Sequence, residues 1–238
     1  MKTLTLLCAA VALAFICPAL PSAQAKTYAL ESAQGLRLHN VAAEPATLQG
    51  KKGVKVTLSE ETAKRMQATA AADQGTLEQL AVIEGAEFGN GVIEAEIAGA
   101  PAPGASAGAR GFVGIAFRLQ SDMRTYDAFY LRPTNGRADD QERRNHVTQY
   151  ISHPDWPWHR LRKETPSRYE SYVDMLPGTW TKIKIEVRGD KARLYVHDAE
   201  QPTLIVNDVK TGANATGGLA LWLDAGTLAH FRNVSIRP

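Results

Sequence analysis

Arginine, tyrosine and histidine recur at two-residue spacing along three consecutive segments, and that spacing is where chemistry first shows. Tyr126 to Arg132 (YDAFYLR) reads as a strand with Tyr126, Ala128, Tyr130 and Arg132 on one face. The strand before it offers Phe112, Gly114, Ala116 and Arg118 on its more open face, and Asn145 to Ser152 adds His146, Thr148, Tyr150 and Ser152. Side by side, the three would leave a trough over Gly114, Ala116 and Ala128, rimmed by large polar groups. Tyrosine supplies apolar area with a hydroxyl, and arginine supplies a planar fork of donors, so the trough suits a sugar-sized ligand.

The segment that follows is equally unusual. His153-Pro154-Asp155-Trp156-Pro157-Trp158-His159-Arg160 holds two of the four tryptophans between and beside prolines. A long loop of this composition is expected either to form a lid, with Trp156, Trp158 and His159 over the trough, or to pack as a surface loop. The structural alternatives stand beside the functional ones: arginine–aspartate pairs can staple such a loop, and Trp156 and Trp158 can plug one end of a sandwich.

Other chemistries leave fewer marks. No Gly-x-Ser-x-Gly elbow, P-loop or dinucleotide-binding glycine pattern occurs. His146, His153 and His159 match no compact zinc spacing, so no metal and no cofactor are expected. Asn135-Gly136-Arg137-Ala138-Asp139-Asp140 offers oxygens for a structural Ca²⁺, with Arg137 intruding.

The elements that must position these residues alternate with period two. Gly91 to Ile97, Gly111 to Leu119, Thr181 to Val187, Ala192 to His197, Thr203 to Val206, Leu219 to Leu223 and Leu228 to Ile236 all read as short strands, separated by turn signals such as Arg188-Gly189-Asp190 and Gly217-Gly218. Ser59 to Asp73 is the exception, an Ala-rich stretch expected to contain one short helix. Pro101 to Gly108 reads as a long surface loop within one domain. The pattern predicts an all-β, two-sheet antiparallel sandwich.

At the amino terminus, Lys2, the apolar run Leu4 to Ile16 and Ala23-Gln24-Ala25 form a secretory signal, with cleavage expected after Ala25. That leaves a single domain over residues 26–238, secreted or periplasmic, without insertion into a membrane. The only cysteines, Cys8 and Cys17, leave with the signal. The chain of 238 residues is 44% hydrophobic and 22% charged with net charge +2, values that exclude a disordered chain and give no global field for nucleic acid.

Gly114-Ile115-Ala116-Phe117-Arg118, Tyr126 to Pro133 (YDAFYLRP), Trp180 to Val187 (WTKIKIEV) and Phe231 to Ile236 (FRNVSI) resemble the concanavalin A-like lectin/glucanase superfamily, in particular its laminin-G-like bacterial secreted members and those known as 3-keto-disaccharide hydrolase domains. The resemblance implies a jelly roll whose concave face binds glycans. The superfamily hosts lectins, hydrolases, lyases and adhesive modules, so activity has to be argued from the site. Glu94-Ala95-Glu96 lacks the Asp and the third acid of the laminarinase-type Glu-x-Asp-x-Glu, and both glutamates are expected to face solvent.

Three functions remain open. The first is recognition of a saccharide or polysaccharide, anionic if Arg118 and Arg132 face it, with Arg118, Tyr126, Tyr130, Arg132, His146 and Tyr150 as groove. The second is a glycoside hydrolase or polysaccharide lyase in which His146 or Tyr150 acts as acid or base and Arg118 and Arg132 stabilise developing charge. The third is an adhesive or assembly module without a small ligand.

Overall fold

The computed structural model describes residues 25–68 and 77–238. The apolar leader and the far end of the expected helix, residues 69–73, lie outside the described residues.

Among the described residues, fifteen antiparallel strands build two sheets. Sheet A runs β13(Leu204–Val206), β12(Lys191–Val196), β11(Thr181–Arg188), β6(Gly91–Pro101), β15(Thr227–Arg237), β4(Lys51–Leu58) and β3(Val41–Leu48), with β1(Lys26–Tyr28) also paired to β15. Sheet B runs β10(Glu170–Ser171), β9(Thr148–His153), β8(Tyr126–Leu131), β7(Val113–Leu119), β14(Gly217–Leu223), β5(Leu80–Phe88) and β2(Leu36–His39). Among the described residues, three α-helices punctuate them: α1(Glu60–Ala68), α2(Gln141–Asn145) and α3(Trp158–Glu164). Ser59 starts α1, its Oγ accepting the Thr62 N–H at 3.2 Å.

The two sheets differ in how they meet water. On β11, Ile183, Ile185 and Val187 are buried while Lys182 is exposed and Lys184 and Glu186 are half-covered, the alternation of a sheet with one solvent face. On β7 and β8 every residue is buried. Register shows why. Ile115 pairs Phe129 and Phe129 pairs Tyr150, and this row points at sheet A; Gly114 pairs Tyr130 and Tyr130 pairs Gln149, and this row points outward. The outward row is covered by its own aromatic rings, by Met123 of the β7–β8 connection and by α3, whose buried Leu161 packs toward β9. A Cβ on Gly114 would stand 2.6 Å from Tyr130 Cβ, so the expected trough is already occupied by Tyr130.

Candidate functional site

The outer face of sheet B carries two linked polar clusters over an aromatic stack. Tyr130 and Trp222 stack with centroids 4.6 Å apart, and Phe112, just before β7, leans on Tyr130 at 5.7 Å. The Arg132 guanidinium lies 5.0 Å from the Tyr130 ring and 5.5 Å from that of Phe112. Its Nη2 donates to Tyr130 Oη (2.8 Å) and Gln149 Oε1 (3.0 Å), and its Nη1 to the His146 carbonyl (2.9 Å) and Glu170 Oε1 (3.3 Å). Glu170, on the edge strand, also takes both forks of Arg162 from α3 and lies 3.4 Å from His146 Nε2. Burial pushes the His146 imidazole down from its ordinary value; Glu170 opposes this, while Arg162 and Arg132 reinforce it. Burial likewise pushes the Tyr130 phenol up to about 12.

The second cluster centres on Glu78. Its Oε1 meets His153 Nδ1 at 2.8 Å, and its Oε2 accepts the Tyr126 hydroxyl. That hydroxyl in turn accepts Trp222 Nε1–H at 3.0 Å, and the Tyr126 and His153 rings stack at 5.1 Å. Burial, together with the neighbouring Glu78, raises the Tyr126 phenol well above its usual range, so it remains a donor at neutral pH. Asp224 completes the group. Its carboxyl accepts the Ala225 N–H at 2.8 Å, and burial raises its pKa, with Glu78 adding to the rise and Arg132 and His153 opposing it. Phe112 and Asp224 together line an open cavity of about 510 Å³, bordered by Leu58, Ala63 and Met66 and by the Ser106–Ala109 loop. A carboxylate beside an exposed aromatic edge can accept hydroxyl protons while the ring covers an apolar sugar face.

Of the expected groove residues, Tyr126, Tyr130, Arg132 and His146 are brought together here, although the first three are buried beneath the surface they support. Two are placed elsewhere. Arg118 sits on a β-bulge with φ +56°, where β14 slips register between Gly218 and Leu219, and the bulge turns the side chain off the outer face. Its guanidinium donates to the carbonyls of Gly89, Gly189 and Gly212 and to Thr211 Oγ1, with no exposure. Tyr150 is on the row that points at sheet A: its hydroxyl donates to Asp127 (2.6 Å) and accepts the Lys210 N–H (2.8 Å). The strand parity expected for Tyr150 is therefore reversed, and burial with the neighbouring Asp127 raises its phenol well above the usual value.

The lid residues also separate. Trp156 N–H and carbonyl pair with Ser152, closing the short turn between them, and the ring lies under Arg160 (3.9 Å) and Lys210 (4.5 Å), toward Tyr169. Trp158, 44% exposed, packs beneath Arg162 at 4.8 Å with His159 edge-on at 5.6 Å, so it touches the site through Arg162. In the Asn135–Asp140 segment, Asn135 Nδ2 donates to the His146 carbonyl and Asp140 Oδ1 accepts the Arg143 N–H.

Spacing already places Phe112 on the open face; Glu78, Asp224, Trp222, Glu170 and Arg162 are the members that spacing did not reveal. Trp222 had a signal, since it falls out of phase with Leu221 and Leu223 on its strand. Glu78 and Asp224 had none, because each lies where a strand begins or ends.

A second depression, of about 580 Å³, crosses the solvent face of sheet A over Ser235, Glu94, Lys184 and Tyr195. Its charges answer one another: Arg237 pairs with Glu94 (2.9 Å), Lys51 with Glu96 (3.2 Å), Lys182 with Asp198 and Lys184 with Glu186 (both 2.8 Å). Burial works to raise Glu96, but hydrogen bonds from Asn233 and Lys51 outweigh it and hold the carboxyl below its usual value. Neither glutamate of Glu94-Ala95-Glu96 is left unmatched.

No family model matches the chain, and no curated protein matches it in sequence. Among solved structures it is similar to the carbohydrate binding module CBM66 from Bacillus subtilis, with a TM-score of 0.52, 12% identity, and coverage of 84% of this chain and 96% of that one. Looser overlaps include a protein of unknown function with a galectin-like fold from Bacillus subtilis (TM-score 0.46, 12% identity, 90% and 96% covered) and the beta-glucanase of Bacillus licheniformis (0.43, 11%, 90% and 98%). The fold argument rests on the first: the chain is a two-sheet antiparallel jelly-roll sandwich.

Proposed function

We propose that the outer face of sheet B recognises a saccharide, seated in the cavity between Phe112 and Asp224. One observation carries the reading: Phe112, backed by the buried Tyr130–Trp222 pair, and a partly desolvated carboxylate, Asp224, line the same cavity. Phe112, held by Tyr130 behind it, offers an aromatic wall at little entropic cost, and Asp224 offers carboxylate acceptors for ring hydroxyls. Arg132 and Glu170 hold the stack in place from behind. A fold shared with a domain named for carbohydrate binding supports the reading in kind. The apolar leader would deliver the domain outside the cytoplasm, where polymeric glycans are met.

The test is binding of a glycan array by the purified protein and by Asp224→Asn and Phe112→Leu, with far-ultraviolet circular dichroism to confirm folding. Each substitution removes a polar or stacking contact, so affinity is expected to fall roughly ten- to hundredfold. Folded variants that bind every glycan as the parent does would remove the cavity from consideration.

A hydrolytic or lyase reading of the same site has one observation in its favour. Asp224 is held toward its protonated form within electrostatic reach of Glu78, whose Oε1 contacts His153. A proton donor beside a base is what glycosidic cleavage requires. Appearance of reducing or unsaturated ends from a bound glycan, lost in both Asp224→Asn and Glu78→Gln, separates catalysis from binding alone.

A further inference from the structure

Two arginines near the cavity mouth, Arg110 and Arg143, have no carboxylate partner among the described residues, unlike Arg132, Arg137 and Arg162. Arg132 and Arg162 pair with Glu170, and Arg137 makes a two-point bridge to Asp174. Arg110 donates only through Nη1, to the carbonyls of Ala107 (3.1 Å) and Ala109 (3.3 Å). Arg143 makes only long contacts, both 3.4 Å, to Asn135 Oδ1. No carboxylate pairs with either among the described residues. Asp140, the acid nearest Arg143 in the chain, uses its Oδ1 on the Arg143 backbone N–H.

The two cations share one short stretch of chain. The Arg110 carbonyl accepts the Thr134 N–H, and the next residue, Asn135, receives the Arg143 guanidinium. Thr134 Oγ1, between them in sequence, is buried with no hydrogen-bond partner. Burial, and next the charge of Arg143, lower the Arg110 pKa, as expected when two cations are held together without an anion. Two half-paired guanidinium groups held close enough for Arg143 to lower the proton affinity of Arg110 are a ready partner for an anion, which would relieve their repulsion. Ala109 lines the cavity and Phe112 walls it, so the cluster borders the proposed sugar site.

We propose that Arg110 and Arg143 form an oxyanion subsite, and that the saccharide recognised on sheet B carries a carboxylate or a sulfate ester. This rests on the saccharide reading above. It places the anion preference on arginines other than Arg118 and Arg132, whose donors are taken up within the protein.

The experiment uses the whole mature protein on an array of matched oligosaccharides in neutral, uronic-acid and O-sulfated forms, at low and high salt. Inorganic sulfate is tested in parallel by thermal shift. The wild type is expected to bind one anionic form at least tenfold more tightly than its neutral match, with the advantage shrinking as salt rises. Which form wins tells carboxylate from sulfate. Arg110→Gln and Arg143→Gln are expected to abolish the preference while leaving neutral binding within about twofold; Arg124→Gln, an exposed arginine on the β7–β8 connection, is expected to change nothing. Equal binding of neutral and anionic forms by the wild type overturns the subsite and leaves the saccharide site standing. Stabilisation by sulfate that Arg143→Gln removes, with no saccharide bound, overturns the saccharide reading and keeps the anion site. No response to either overturns both.

Discussion

At Asp224 the demands of stability and of recognition oppose each other. Burial and the nearby Glu78 raise its folded-state pKa above the ordinary aspartate value, so the folded chain binds the proton more tightly than the unfolded chain. Folding free energy is then favoured below the unfolded pKa and falls as pH rises through the folded one, leaving an ionised Asp224 as a net penalty at neutral pH. Asp224→Asn should therefore raise the urea midpoint at pH 7, and the gain should vanish near pH 3, where both chains are protonated. Glu96 has the opposite sign. Its carboxyl is held below its usual value, so Glu96→Gln should lower the midpoint at pH 7, by an amount that shrinks as pH falls through the folded-state value. An aspartate kept at a cost to stability, in a cavity and against an aromatic stack, is what a binding residue looks like in energetic terms. A midpoint that Asp224→Asn leaves unchanged at both pH values would show that the carboxyl is solvated after all.

Among the elements, the bulge in β7 decides which face each residue serves. Alternation through Gly114, Ala116 and Arg118 predicts a common face, and it holds for the first two; the extra residue at the β14 slip then sends Arg118 to the end of the sandwich. There it clasps three separate turns, those at Gly89, Gly189 and Gly212, against the buried Asp127. Arg118→Met should lower stability by about 3–5 kcal/mol, because it strands buried carbonyls and leaves Asp127 without its cation. Equilibrium denaturation measures it, and a loss below about 1 kcal/mol would mean that the turns hold themselves. The same bulge explains the limits of the sequence. Strand positions from Gly91 onward were legible because one apolar face forces a period of two, as in Ile183, Ile185 and Val187. The faces of β9 were not, because Tyr150 on the inner side and Gln149 on the outer side are both buried and both hydrogen-bonded, so polarity gives no parity. The Tyr126–Tyr130–Arg132 face was found from alternation, whereas Glu78 and Asp224 reach it from chain ends whose position only the tertiary fold sets.

For the molecule as a whole, the path of the chain binds the two sheets into one cooperative unit. From β4 to β7 the chain changes sheet at every step, and it does so again from β13 to β15. Sheet B lacks β5 and β7 as neighbours until β14 arrives between them, and sheet A lacks its centre until β15 closes between β6 and β4. Neither sheet can bury its inner row without the other, and no cysteine occurs beyond Cys17 to stabilise a part on its own. Two tryptophans report on opposite outer faces: Trp180, whose Nε1–H reaches the Leu48 carbonyl at 2.9 Å above Gly53 of sheet A, and Trp222 in the stack of sheet B. Variants keeping only Trp180 or only Trp222 should unfold in urea with fluorescence midpoints that coincide with each other, and with the loss of strand signal in the far ultraviolet, once each is referred to its own circular-dichroism curve. Reductant should leave both curves unchanged. If Trp222 instead reports an earlier transition than Trp180, the outer face of sheet B opens as a unit of its own, and the recognition site would then be a locally stabilised layer on a more stable sandwich. Such a layer should tighten when ligand binds, so a saccharide that binds there would move the Trp222 transition toward the global one and leave the gap between the two reporters smaller.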